Sequence, residues 1–352
     1  NVRFKNLIIN GDMSIAQREP TQPGIQYSGY YSCDRWDLGI SSLGAWTMSQ
    51  STDVPTGEGF GKSTKLDCTT ADASPSADDY FFIQQKLEGQ NLQHLRKGTS
   101  SAKKVTVSFW VYATKTGTNI LEFSDKDNTR HICQAYTISS SNTWEKKIIT
   151  FDADTANAFT NDNGESAAFI WWLGCGTTYT SGTLATSWAS YSGAAGNRAV
   201  GQVNHADSTS NNFYLAGVQV EAGDQATDFE FLPVDVQLIR CLRYFQHHTN
   251  PQTANNEPLG MGTYYSSSQV NAHIHMPVQM RSSPTLTCTD VSDHFAIFRN
   301  GTHDAVNNWT RGESTERVVE IYNNSDVSGT AGHGCAISTN NADAKMSFDA
   351  EL

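Results

Sequence analysis

Residues 105–112, VTVSFWVY, alternate strictly, with Val105, Val107, Phe109 and Val111 on one face and Thr106, Ser108, Trp110 and Tyr112 on the other. A period of two places successive side chains on opposite faces of an extended strand, whereas a helical stripe needs a period near 3.6. The same alternation recurs. Ile132, Gln134, Tyr136 and Ile138 line up, and Glu145, Lys147, Ile149 and Phe151 oppose Trp144, Lys146, Ile148 and Thr150. The run FIWWL at 169–173 is apolar on both faces and reads as a central strand. Further strands are expected near 36–40, 45–50, 64–68, 80–88, 119–124 and 213–221, punctuated by turn sequences such as Ser124–Asn128 and Asn161–Gly164.

Ten or so mostly antiparallel strands with polar loops predict an all-β fold, a jelly-roll β-sandwich over 1–232. Two ordered segments, 6–18 and 213–231, open and close it. Leu7, Ile8 and Ile9 read as the opening strand, and 174–212, rich in Gly, Ser, Thr and Asn, as a long surface excursion around Trp188 and Tyr191. A loop of that length binds something or packs on a neighbouring subunit. Residues 233–257 form a linker: Val234, Leu238 and Leu242 repeat at helical spacing after Pro233, and a strand follows at 241–248. Residues 258–352 form a smaller C-terminal β-sandwich, with strands at 271–281, 284–289, 294–298, 317–323, 333–338 and 344–350. Pro277 makes the first of these an edge strand or a bulged one.

Only 17% of the 352 residues are charged, the net charge is −12, and no basic run exceeds two residues. A phosphate-tracking surface is therefore not expected, so nucleic acid is not a predicted partner. No run of about 18 apolar residues is present, and membrane insertion is not expected. The seven cysteines are scattered singly and read as free thiols of a chain folded in a reducing cytoplasm. No signal peptide is visible, although the sequence starts at Asn1, so a preceding anchoring segment is left open.

Several blocks together carry a resemblance: Asn6–Arg18, Asp34-Arg-Trp36, Gly44–Gln50, Gln84–Asn91, Ser108–Val111, Asn142–Lys146, Gly217–Asp224 and Arg240–Gln246. In this order they resemble virion proteins of tailed bacteriophages, of the tail-fibre and receptor-binding type found in marine and cyanobacterial phages. The likeness spans about 6–247. It implies a carbohydrate-binding-module-like jelly roll in a virion component made in the host bacterial cytoplasm. It also implies a homotrimer among other virion proteins, with host surface polysaccharide as a partner. The segment 259–352 is similar to small β domains at the ends of phage fibres, where loops such as 299–316 would carry recognition. No catalytic set comes with the resemblance, and the expectation is a non-enzymatic protein. A capsid decoration, head spike or tail adaptor is the structural alternative, and a polysaccharide depolymerase a third.

Glycan binding needs aromatic faces beside amides and carboxylates, and the candidates are Trp110, Tyr112, Trp188 and Tyr191. Each also has a plain reading as a packing residue. In Asn10-Gly11-Asp12 the local reading is a left-handed or tight turn at Gly11 with Asp12 capping backbone N–H groups. The functional reading is a calcium ion held by Asp12, Glu221 and Asp228, clipping the first and last strands together. No other cofactor is indicated. His273 and His275 share one strand face without a third metal ligand, and with Arg281 they are candidate subunit-interface residues.

Overall fold

The computed structural model describes residues 4–191, 196–249 and 255–352. The chain is nearly all β and divides into two units, Asn1–Gln237 with Leu352, and Leu238–Glu351. The division falls inside helix α2 (Val234–Leu242), the helix that the 3.6 spacing anticipates.

In the first unit the strands are β1 (Thr21–Ile25), β2 (Gly29–Tyr30), β3 (Asp37–Ser41), β4 (Ala45–Ser51), β5 (Ser63–Thr70), β6 (Tyr80–Glu88) and β7 (Val105–Ala113). They continue with β8 (Gly117–Asp125), β9 (Arg130–Ile138), β10 (Glu145–Phe151), β11 (Glu165–Cys175), β12 (Ala189–Ser190) and β13 (Asn212–Ala222). A short helix, α1 (Thr177–Thr180), follows β11. Two antiparallel sheets result, one ordered β1-β4-β5-β13-β7-β10 and the other β12-β9-β8-β11-β6-β3-β2. Their inner faces share one apolar core. Val105, Val107, Phe109 and Val111 of β7 meet Trp171 and Phe169 of β11 there, with Trp36 edge-on to Trp171. The alternation at 105–112 thus faces as the sequence requires.

Residues 6–18 do not form the opening strand expected at Leu7–Ile9, although they lie along β13. Leu7 donates to the Val220 carbonyl, but side chains take over the ladder's role beside it. The Asn6 amide accepts from Val220 N and donates to Val218 O, and Ile9 N donates to Gln85 Oε1. The left-handed residues of the turn are Asn10 and Met13 (φ 58° and 59°) rather than Gly11. Gly11 is needed for close approach, because a Cβ there would sit 2.1 Å from the Val218 carbonyl oxygen.

The expected surface excursion after β11 is instead a roof. Residues 176–199, as far as they are described, fold back along β9, β8 and β11 and bring Tyr179, Leu184, Tyr191, Arg198 and Ala199 onto the outer face of the seven-stranded sheet, while Trp188 turns in toward the main core. Ala199, with Leu184 and Tyr179 beside it, closes a second small core with Ile120, Cys133, Ala168, Ile170 and Trp172. FIWWL is apolar on both faces because both faces of β11 are covered.

In the second unit the strands are β14 (Phe245–His247), β15 (Pro258–Ser266), β16 (Gln269–His275), β17 (Thr285–Cys288), β18 (Phe295–Arg299) and β19 (Thr302–Val306). The remainder are β20 (Thr310–Ser314), β21 (Val318–Asn323), β22 (Gly334–Thr339) and β23 (Met346–Asp349). A seven-stranded sheet β19-β18-β22-β15-β16-β21-β20 and a three-stranded sheet β14-β23-β17 share a core that includes Ile274, Ile297, Ile321, Ile337, Met346 and Phe348. Two expectations change here. The loop at 299–316 is largely strand, since Asn300 and Gly301, both at positive φ, turn β18 tightly into β19. The strand expected over 271–281 stops at His275, ahead of Pro277. None of the seven cysteines forms a disulfide.

Candidate functional site

The outer face of the seven-stranded sheet falls into two halves. The register carries one row across it from Tyr30 on β2 through Asp37 on β3, Gln84 on β6, Ile170 on β11 and Glu122 on β8 to Cys133 on β9. The roof covers the β11–β9 end of this row and leaves the β2–β6 end open.

Under the roof, Glu122 is fully buried. It takes Arg198 Nε at 3.0 and 3.1 Å, Trp172 Nε1 at 2.9 Å and the ring of His131 at 3.3 Å. Burial alone would raise its pKa, but the Arg198 charge and the His131 hydrogen bond outweigh that and hold it at about 2. Cys133 lies beside them, its thiol pushed far up by burial. Glu122, His131 and Cys133 are the one set of three His, Cys or acidic residues, among the described residues, whose ligand atoms gather within 4.8 Å. The set does not fit a metal ion. Arg198 already supplies the positive charge, and both Glu122 oxygens are taken by Arg198 and Trp172. The cluster pins the roof.

The expected calcium ligands do not converge. Asp12 accepts from Ser14 N and Oγ and from Gln237. Glu221 binds the turn at Thr227 through its backbone N–H and hydroxyl, while the Asp228 carbonyl accepts from Lys5. The Asp12 and Glu221 carboxylates serve turns, as the local reading of Asp12 holds.

Trp188 and Tyr191 are not free loop aromatics. The Trp188 ring packs on Phe123 and its Nε1 donates to the Asp152 carbonyl. Tyr191 lies under Arg198, next to His131, with its hydroxyl 3.1 Å from Ser124 Oγ. Tyr191 holds the roof to the sheet, and Trp188 packs against the main core at the sandwich edge. Trp110 and Tyr112 project, half-exposed, from the outer face of the other sheet, so the structure does not bring the four together. His273 and His275 are exposed on β16, but Arg281 donates to the carbonyls of Ala350 and Glu351 and ties down the end of its own unit.

The open half forms a groove of about 390 Å³ lined by Tyr30, Asp37, Gly39, Tyr80, Phe82, Gln84 and Lys86, among others. Gly39 decides its floor. A Cβ there would come within 2.1–2.8 Å of three Phe82 ring atoms, so the half-exposed Phe82 ring lies against the β3 backbone where only glycine leaves room. Tyr80 is nearly parallel to it, 14° between planes with centroids 5.4 Å apart, and Tyr179 of α1 walls the end edge-on to Tyr80. Polar groups line the other end. Asp37 accepts from Gln84 Nε2 at 2.6 Å and from Lys86 Nζ at 3.1 Å, and Lys86 also reaches the Leu352 carbonyl at 2.9 Å. Because Asp37 can only accept, the Gln84 amide is oriented with Oε1 turned away, and that buried oxygen has no protein donor. Tyr30 closes the row, 5.5 Å from the Lys86 ammonium.

No protein family matches the sequence, and no curated protein does. Solved structures resemble the chain at low identity. The tailspike protein 4 enzymatically active domain of bacteriophage CBA120 is 13% identical over 62% of this chain, with a TM-score of 0.32. The present chain spans about a fifth (21%) of that tailspike chain. A family 4 carbohydrate-binding module is 12% identical over 60% of this chain and 97% of its own, with a TM-score of 0.31. The module TmCBM61, solved with β-1,4-galactotriose, is 9% identical over 62% and 98%, with a TM-score of 0.30.

None of the groove residues was singled out from sequence. The register of β3 against β6 makes the site, and sequence separation hides it: Asp37 and Gln84 are 47 residues apart. The signal that existed was the spacing of Tyr80, Phe82, Gln84 and Lys86, which places two aromatics, an amide and an ammonium on one strand face.

Proposed function

We propose that the first unit binds glycans, without catalysing their cleavage, through the groove over β2, β3 and β6. The observation that carries this reading is the pairing of a flat aromatic floor, Phe82 and Tyr80, with the Asp37–Gln84–Lys86 group beside it. A sugar ring offers an apolar C–H face and a belt of hydroxyls. The first is matched by an exposed aromatic face and the second by closely spaced donors and acceptors. A sugar hydroxyl can donate to Asp37 while accepting from Lys86.

The reading of no catalysis is supported by the groove's single carboxylate, since glycoside hydrolysis uses two carboxyl groups flanking the bond. The acidic residues nearest to such pairs in sequence are engaged elsewhere. Asp125 and Asp154 both hold Lys97, and Asp127 accepts from Thr160 N.

The sequence resemblance supports a setting in which this groove belongs to a bacteriophage virion and meets host surface polysaccharide. For a homotrimer, the supporting observation lies in the second unit. Met261 and Tyr265, 69% and 74% exposed, share a sheet face with His273 and His275. A mass of one chain in solution would remove the trimer.

Glycan binding is tested by titrating the full chain with xylohexaose, β-1,4-galactotriose, a mixed-linked β-glucan tetrasaccharide and a bacterial O-antigen polysaccharide. Binding to one of them, lost at least tenfold in Phe82→Ala, is expected. Binding to none overturns the reading.

A further inference from the structure

The outer face of the six-stranded sheet carries a second aromatic group, separate from the groove. Tyr214 on β13 pairs in register with Tyr112 on β7, and Trp144 stands next to β10, level with Tyr112. The ring centroids lie 4.8 Å apart for Tyr112–Tyr214, 5.7 Å for Tyr112–Trp144 and 6.0 Å for Trp144–Tyr214. Tyr214 is buried, whereas Tyr112 and Trp144 are half-exposed.

Polar groups surround these rings. Trp144 Nε1 donates to the carboxylate of exposed Asp53 at 3.1 Å, and the Tyr112 hydroxyl donates to the amide oxygen of exposed Asn142 at 3.3 Å. On the far side Lys65 pairs with Asp67 at 2.6 Å and lies 5.6 Å from the centre of the Tyr214 ring. Cross-strand aromatic packing alone needs only ring contacts. Here the heteroatoms of both half-exposed rings are also fixed, by residues outside the sheet strands. Holding an exposed aromatic side chain in one orientation costs rotamer freedom in the free protein and lowers the cost of binding.

We propose that Tyr112, Trp144 and Tyr214 form a second saccharide-binding platform, with Asp53, Asn142 and the Lys65–Asp67 pair as its hydrogen-bonding rim. The proposal rests on the glycan reading of the groove and adds a consequence to it. The outer faces of a two-sheet sandwich point away from each other, so one short oligosaccharide cannot engage both sites. A chain with both sites cross-links polysaccharide strands.

The test is calorimetric titration of the full chain with the same three oligosaccharides, together with turbidity on mixing with the parent polysaccharides. Two sites per chain and polysaccharide precipitation are expected. The Tyr112→Ala/Trp144→Ala variant should keep one site and lose precipitation, with its thermal midpoint checked to confirm folding; Phe82→Ala should keep the other. The wild-type stoichiometry needs no variant and stands if the double variant misfolds. One site per chain in wild type, removed by Phe82→Ala, overturns the platform and leaves the groove intact. No binding by any of the oligosaccharides or by the O-antigen polysaccharide overturns both.

Discussion

The roofed and open halves of the seven-stranded sheet are built on one strand register yet set their carboxylates in different surroundings. Beneath the roof, Glu122 is surrounded by Arg198, Trp172 and His131, and both its carboxylate oxygens have donors. In the open half, Asp37 is bridged to Lys86 and Gln84, and Gln84 keeps an acceptor without a donor. The difference separates a carboxylate closed off inside the fold from one that lines a groove. A buried charge is tolerable when fully partnered, and a carboxylate at a groove can also accept from a ligand hydroxyl.

The sharpest way to break the comparison is to remove Arg198. Arg198→Met leaves Glu122 buried without its cation, and a loss of about 3–5 kcal/mol in urea unfolding is expected. A loss below about 1 kcal/mol would mean that the roof is not pinned there.

Acid should act through Glu122 and through a second buried group. The folded pKa of Glu122, about 2, lies below its ordinary 4.5, so its stabilisation is present above pH 4.5 and is lost as pH falls toward 2. His205, packed on Phe213 on the inner side of the sandwich, donates from Nε2 to Asn119 at 2.7 Å and has a buried Nδ1 without a partner. Burial, reinforced by the Lys115 charge, lowers its pKa from 6.5 to about 3. The unfolded chain therefore binds a proton there below pH 6.5 that the folded chain refuses, and stability falls as pH drops from 6.5 toward 3. Each pKa unit is worth about 1.4 kcal/mol, so the two groups together predict a loss of several kcal/mol. Unfolding free energies between pH 7 and 3 check this. In His205→Asn the part of the slope between pH 6.5 and 4.5 should flatten.

The open half should respond in binding more than in stability. Gly39→Ala forces Phe82 off the backbone, which should cost about 1–3 kcal/mol of stability and abolish the flat floor and glycan affinity with it. A variant that binds as wild type would detach the floor from the function. Gln84→Leu removes an unpartnered acceptor along with its bond to Asp37. Stability should stay within about 1 kcal/mol while affinity drops about tenfold, measured by the same titration.

Much of the fold was legible because alternation is a local property. The β7 pattern and the helical spacing at Val234, Leu238 and Leu242 each need only a few neighbouring residues. The opening segment was misread because Asn6 and Gln85 replace backbone ladder bonds with side-chain amides, a substitution that hydrophobic pattern cannot register. The excursion was misread because its compositional polarity conceals Arg198, whose partner Glu122 lies 76 residues earlier. Of the expected site aromatics, Trp110 and Tyr112 were placed on the correct face by parity alone. Trp188 and Tyr191 were drawn inward by partners that no local window contains.

The position of β13 bears on how the chain is made. This strand closes the first unit in sequence yet lies in the interior of its sheet, between β5 and β7. During synthesis the β4–β5 and β7–β10 pairs must wait, each with one unpaired edge, until residues 212–222 emerge to join them. A nascent chain stopped before residue 212 would present two half-sheets with open edges, the form most prone to pair with a neighbouring copy.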